Sequence, residues 1–496
     1  MFSPFPIIFR ERLDFFEISM DNRSIYFCPE IRGYGKQGSV LRGVYILTSN
    51  GNGYTPQAIR NRNYQVIINL LRESEVRSIR DIVLRSSLSK TAVKRIIDNL
   101  LEAGLVCPAG KGQSSEAGGK RPELFMLHAG QVYALSCIFG QNGFRFILVD
   151  LKLQVIDCVD ALTLYPGASY QQITQSMADA IRQFLMRHPE VCDRLCCICF
   201  SAAGIISYSD GVLINPIHNN QWGSHLPFLS DMRKLLPMSC PFYFDNALRF
   251  AAYYEQMMDS SLQKGSVLMI CYTRDNIGGS ILQDSQLVHG RFGLSGEFGH
   301  ILTDFALSET CSCGKTGCIE SVAAHKRVVA RAERELQNWP MSVLNGRELS
   351  FASISNAADT GDIFAQRQMD FLVHQFSTLI YNLQIAIDPD ILVLKCYTDH
   401  VPMHYFSSSI QETVNRLSLV NTPIPIRIHV DQHGDDYDMM YHNIICGGAL
   451  YGFDRLFYTE SMFNEFIARY VDGRALSVKQ RDGSEKAVPP LDSRTL

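Results

Sequence analysis

The chain has 496 residues, enough for two or three domains that each bury a core. Hydrophobic residues at 46% and charged residues at 19% exclude a disordered chain, and a formal net charge of −4 excludes a protein that is basic throughout. Contact with nucleic acid therefore has to come from a local basic region.

The N-terminal MFSPFPIIFRERLDFF is broken by prolines and charged residues, so no export signal is expected. No stretch approaches the roughly 18 uncharged apolar residues of a membrane span. The 15 cysteines are an odd number, scattered, and often inside apolar runs such as RLCCICF (194–200). That pattern suits reduced thiols in a cytoplasmic protein, most of them acting as small buried hydrophobes. Residues 1–57 hold short apolar pieces and the loop-like SNGNGYTP without a sustained period, and read as an N-terminal extension with no assigned role.

From Asn61 the pattern turns helical. Val66, Ile67, Leu70 and Leu71 recur at helical spacing. Ile79, Ile82 and Val83 mark a short helix, and Ser86–Ser87–Leu88 a turn. Ser89 is a good N-cap for a second helix with Val93, Ile96, Ile97, Leu100 and Leu101 on one face and Gly104 at its end. The Gly/Ser-rich GKGQSSEAGGKRPELFML (110–127) follows, closing in a strand-like run. Two short helices and a hairpin with a basic tip make residues 58–128 a winged helix-turn-helix candidate.

Between Arg77 and Arg121 nine basic residues face four acidic ones, a net +5, so the remainder of the chain sums to −9. Phosphate neutralisation is local, which gives this segregation its meaning. Lys90, Thr91, Lys94 and Arg95 lie off the apolar stripe, where a recognition helix meets the major groove. Ser89 adds a contact at the helix start, and Lys120 and Arg121 sit at the hairpin tip. The expected partner is double-stranded DNA. The competing interpretation is a three-helix protein-interaction module with a solvated basic face.

After Tyr133 the texture changes to strands, in YALSCIF, FRFILVDL and QVIDCV, then a helix near 171–187 and the buried strand LCCICFSAAG. Strand and helix signals alternate to about residue 455, so residues 129–460 are expected to form an α/β domain. Residues 461–496 end in a polar, Pro-containing stretch that reads as a disordered tail. No repeat of short fixed period is visible.

Within GEFGHILTDFALSETCSCGKTGCIE, His300, Cys311, Cys313 and Cys318 form an H-x10-C-x-C-x4-C set. Gly314 and Gly317 let the backbone fold tightly enough for the sulfurs to converge. One imidazole and three thiolates complete a closed tetrahedral zinc shell of the structural type. The alternatives are reduced surface thiols or a redox pair.

These residues resemble the ROK family (repressors, open reading frames and kinases) over about residues 58–460. GEFGH and CSCGKTGCIE are similar to its zinc signature. LSKTAVKRIIDNLLEAGLV and GGKRPELF resemble the winged helix-turn-helix of its repressor branch, and NNQWGS, DNALRFAAYYE, DPDILVL and CGGALYG follow in family order. The resemblance implies an actin-like (ribonuclease H-like), two-lobed sugar-kinase-type fold with a zinc clip. It also implies sugar ligands at Asn246, Glu297, His300 and Glu320. Carboxylates and an amide suit vicinal hydroxyls, and His300 can use one ring nitrogen for zinc and the other for a hydroxyl. Without the family, Glu320 reads as a helix-start carboxylate and Asn246 as a turn residue.

The departures from the family pattern concern nucleotide handling. Ala247 stands where family kinases carry the general-base aspartate, and a methyl group accepts no proton. IFGQN (138–142) keeps Gly140 of the first phosphate turn but not its Asp and Thr. RDNIGGS (274–280) loses two glycines of the second and gains Asp275, and Lys395–Cys396 replace a glycine pair. The resemblance thus implies a non-catalytic regulator, a repressor of carbohydrate genes. It would bind operator DNA as a homodimer or higher homo-oligomer, answer to a sugar or sugar derivative, and carry one structural zinc. One alternative is an active ATP-dependent sugar kinase that also carries a DNA-binding domain. Another is a ligand-independent regulator that senses a protein such as a transport component.

Overall fold

The computed structural model describes residues 56–457 except 87, 114–120, 141, 163–164, 218–219, 263–264, 307, 398–400, 402, 420–425 and 431–435, with side chains from 63 onward apart from a few further positions, plus two isolated strand pairs near the termini. Lys120, the N-terminal extension 1–57 with no assigned role and the proposed tail 461–496 therefore lie largely or wholly outside the described residues.

Three helices open the described chain, at Pro56–Arg72, Ile79–Ser86 and Lys90–Glu102. The third starts because Ser89 Oγ accepts from Ala92 N at 3.2 Å. It ends at Ala103, with Gly104 one position beyond, so the stop falls a residue earlier than the glycine itself. Val93, Ile96, Ile97 and Leu100 are buried, while Lys90, Thr91, Lys94 and Arg95 are all exposed, as the periodicity requires. Val106–Lys111 then pairs antiparallel with Glu123–Leu127, and Arg77–Ser78 adds a short third strand on Phe125 and Leu124. Arg121 is exposed at the hairpin end.

Two five-stranded sheets follow, and they repeat one topology. In the first lobe, Tyr133–Gly140, Gly143–Asp150 and Val155–Asp160 form an antiparallel meander. Leu195–Ala202 lies parallel beside Tyr133–Gly140, and Phe242–Asn246 parallel beside that. In the second lobe, Ser266–Thr273, Ile277–Gln283 and Gln286–Leu287 make the meander, with Ile391–Tyr397 and Ile426–Val430 added in parallel. The central strands Leu195–Ala202 and Ser266–Thr273 are mostly apolar and almost wholly buried, because helices cover both sides.

Helix Ala247–Met258 leaves the last strand of the first lobe and packs on the strand Ile277–Gln283 of the second. Helix Asp436–Leu456 comes back from the second lobe onto the first, against Ala247–Met258 and the strands Tyr133–Gly140 and Leu195–Ala202. It approaches so closely that a Cβ at Gly447 would stand 2.0 Å from Phe250 O, and one at Gly448 2.6 Å from Ser136 Oγ. We expect Gly447→Ala to cost about 3 kcal/mol, the upper end for overpacking, since the obstruction is backbone and cannot rotate away. A denaturant titration unchanged from wild type would contradict this packing.

The apolar core of the three-helix module is continuous with that of the first lobe. Tyr64, Ile67, Leu71, Val93 and Ile97 belong to one cluster with Val132, Cys197, Ala247, Ile444 and Phe457. Tyr64 stacks on Phe457 at 5.9 Å, and Gln65 Nε2 donates to Asp454 O at 3.2 Å. Among the described residues no helix is long and apolar enough to cross a membrane.

Candidate functional site

A cavity of about 460 Å³ opens between the two lobes. Asn246, Ala247, Glu297, His300 and Glu320, drawn from three separate stretches of the sequence, all line it. Asn246 ends the strand Phe242–Asn246 and caps the helix that follows, its Oδ1 accepting from Leu248 N at 2.9 Å. Its Nδ2 donates to Gly204 O at 2.9 Å and to Glu297 Oε1 at 3.1 Å. The amide is thus a cap and a wall of the cleft at once.

Glu297 precedes the short turn Phe298–His300. Burial pushes its carboxyl up to about 8, with Arg249 opposing and the nearby Glu320 and Asp245 adding to the rise. Glu320 opens the short helix Glu320–Ala323, and its Oε2 accepts from Ile277 N at 3.2 Å while Oε1 accepts from Ser312 Oγ at 3.0 Å. The helix-start role anticipated for Glu320 and its place on the cavity therefore hold together. Two carboxyl groups, an amide and an imidazole around one cavity are suited to a polyhydroxylated ligand.

Three groups that support this wall were not anticipated. Asp245 is fully buried and forms an ion pair with Arg249, itself 1% exposed. His289 Nε2 bonds Asp245 Oδ2 at 2.7 Å and its ring stacks on Tyr208 at 4.2 Å. Arg249 Nη2 donates to Gly293 O at 3.0 Å and Ser295 O at 2.6 Å, so the pair fixes the loop that leads into Glu297. An arginine four residues after an aspartate, at the start of a largely apolar helix, was the available signal. For His289 there was none.

His300, Cys311, Cys313 and Cys318 converge, their ligand atoms all within 4.8 Å of one another. Cys311 Sγ is 3.5 Å from His300 Nδ1, and Cys313 Sγ 3.7 Å from Cys318 Sγ. Around a tetrahedral zinc with Zn–S near 2.3 Å, ligand atoms stand about 3.7 Å apart, so donor set and spacing both fit that ion. Positive φ angles at Gly314 (82°) and Gly317 (88°) make the tight turns between the cysteines. Burial holds the Cys311 thiol above its usual range and pushes Cys318 up to about 12, so loading a cation would expel protons.

Where the family pattern has a glycine pair, Lys395 and Cys396 do not turn. They continue the strand Ile391–Tyr397, paired with Cys271 and Tyr272 on one side and His429 and Val430 on the other. Lys395 Nζ is 3.0 Å from Glu255 Oε1, and Asn443 Nδ2 donates to Tyr397 OH at 3.0 Å. Arg274, Asp275 and Asn276 form the second lobe's turn at the cavity.

Comparison with known proteins follows this architecture. The profile of the ROK family matches residues 135–446. The xylose repressor of Bacillus subtilis (strain 168) is 22% identical over 355 residues, 72% of this chain and 84% of that protein. Among solved structures, a ROK family transcriptional regulator, a homologue of the E. coli MLC protein, superposes with a TM-score of 0.60 at 18% identity, covering 81% of this chain and 98% of that one. A ROK hexokinase from Thermus thermophilus superposes with a TM-score of 0.50 at 18% identity, covering 67% and 100%. The duplicated sheet topology, the cleft between the lobes and the family match over 135–446 lead to one conclusion: this chain belongs to the ROK family.

Proposed function

We propose that the chain is a sugar-responsive, DNA-binding transcriptional repressor of carbohydrate genes whose kinase-like domain transfers no phosphate. The observation that carries this is the union of two sites on one continuous core: the exposed basic face of helix Lys90–Glu102, and the cleft walled by Asn246, Glu297, His300 and Glu320. Residues 58–128 act as a winged helix-turn-helix, in which Lys90, Thr91, Lys94, Arg95 and Arg121, with Lys120, meet operator DNA. Ser89 Oγ is used as a cap acceptor, which leaves its proton for a phosphate. Residues 129–460 sense a sugar or sugar derivative and join two copies, so that two basic helices reach two half-sites. A structural zinc at His300, Cys311, Cys313 and Cys318 holds the loop of Glu297 against the helix of Glu320. The relative called a xylose repressor supports the same class of role.

Helix Asp436–Leu456 gives the coupling a physical route. It lines the cleft with Met440, Tyr441 and Ile444, and at its other end Asp454 and Phe457 hold Gln65 and Tyr64 of the first helix. A ligand that favours one lobe arrangement shifts the basic helices through this rod.

The second reading, an active kinase, has the ROK hexokinase in its favour as a relative in fold. Against it stand Ala247 at the base position and a strand ladder that consumes the N–H groups of residues 395–396. Asn246→Ala and Glu320→Gln are expected to weaken sugar binding about 30-fold to 100-fold each, the loss of hydrogen bonds to polar or charged groups. Wild-type protein is expected to form no sugar phosphate from ATP. Turnover at the 1–100 per second order of kinases would overturn the non-catalytic assignment.

A further inference from the structure

The cleft has two chemically unlike ends. Around Asn246, Glu297 and Glu320 the walls offer an amide and carboxyl groups. Ile138, Leu248, Tyr397, Met440, Tyr441 and Ile444 also line the cleft, and they gather around Ala247 and the helix that it starts. These side chains belong to the protein's core. Ile138, Met440, Tyr441 and Ile444 pack in the cluster that contains Ala247, and Leu248, Met440 and Tyr397 pack with Val267 and Val393 in another.

Two polar groups beside these side chains are already engaged. Tyr397 OH accepts from Asn443, and Lys395 is paired with Glu255. The cations on the cavity wall, Arg274 and Lys326, come from the second lobe's turn and the helix after it. Arg274 is 64% exposed on its side chain and lies 3.4 Å from Asp275. A phosphate set against these side chains would shed water, whereas an apolar group there buries surface against two tyrosines and a thioether.

From this division, and on the sugar-sensing role proposed above, we infer that the cleft recognises a sugar whose hydroxyl nearest Ala247 carries an uncharged apolar group, such as an aryl ether or aromatic acyl ester. Ala247 supplies the space: a small methyl lies at the junction between the polar and apolar ends, 5% exposed, where a longer acidic side chain would confront the substituent.

The test is isothermal titration of the full chain, without nucleotide, against matched sets built on glucose, xylose and N-acetylglucosamine. Each set holds the free sugar, its phosphate, its benzoate esters at single hydroxyls and its 4-nitrophenyl glycosides. For the sugar recognised, one aromatic member should bind about 10-fold or more tightly than the free sugar. Tyr441→Ala should shrink that ratio to about 2-fold. Met440→Ala serves the same purpose should the tyrosine variant fail to fold. Equal affinity for free and aromatic members, or preference for the phosphate, overturns this inference alone. No binding by any member overturns both it and the sugar-sensing role.

Discussion

Replacing Cys318 by alanine is expected to strip the protein of its zinc and to destabilise it by on the order of 5 kcal/mol. Structural zinc sites contribute about 10–16 kcal/mol of apparent binding energy in small domains that cannot fold without metal. Here the second lobe has its own large apolar core, so only part of that reaches global stability. The remainder is local. Cys318 bridges to Leu302, Thr303 N donates to Gly317 O at 3.0 Å, and Ile319 N to Ile301 O at 3.2 Å. The cluster therefore closes the loop that runs from His300 to Glu320. Metal analysis of wild-type protein should find about one zinc per chain, and of the variant almost none. Its sugar-induced thermal shift should vanish as well, because His300 and Glu320 lose their common anchor. Cys271→Ala, which removes a buried thiol outside the cluster, should cost only about 1–2 kcal/mol and leave zinc in place. Wild-type protein without zinc, yet fully stable, would refute the clip.

Reversing two charges on the basic helix is expected to be as damaging to DNA binding as the cysteine change is to stability. Lys94 and Arg95 are exposed and opposite the buried Val93–Ile97 side, so Lys94→Glu with Arg95→Glu leaves the core untouched. Affinity for double-stranded DNA should fall by about 100-fold or more near physiological salt. The slope of log affinity against log salt should also flatten by about 2, one unit for each lost phosphate contact. Lys234→Glu, on an exposed site of the first lobe, should change neither. An undiminished affinity in the double variant would assign the basic face to solvent and favour a protein-interaction module.

Much of this architecture was legible in the sequence, for reasons that can be named. The third helix of the N-terminal module was readable from end to end, since Ser89 caps it locally and its apolar stripe repeats every 3 to 4 residues. The His/Cys cluster was readable because three of its members lie within eight residues and its turns need glycine. The four cleft residues were reached only through family resemblance. Nothing in the spacing of Asn246, Glu297 and Glu320 says that a strand end, a short turn and a helix start meet at one cavity.

What stayed hidden was long-range. The two lobes share a strand order, yet no short repeat betrays it, because topology is preserved by burial pattern and not by residue identity. The aromatic end of the cleft depends on a helix about 200 residues after Asn246 in the chain. Its CGGALYG segment entered only as a stretch in family order, and nothing in it says that Tyr441 lines the cleft or that Asp454 holds the first helix. The contact of buried Asp245 with His289 pairs residues 44 apart, beyond the reach of any local pattern.

The central claim is that a sugar bound in the cleft changes how the basic helices hold DNA, without chemistry. The direct measurement is fluorescence anisotropy of the full chain on a duplex selected from a random pool, titrated with each sugar that raises its melting temperature, in the absence of ATP. At least one such sugar should shift the DNA dissociation constant by about 10-fold, equivalent to a coupling of about 1.4 kcal/mol, while the sugar is recovered unmodified. DNA affinity that stays constant as the cleft fills with every sugar it binds would contradict the account.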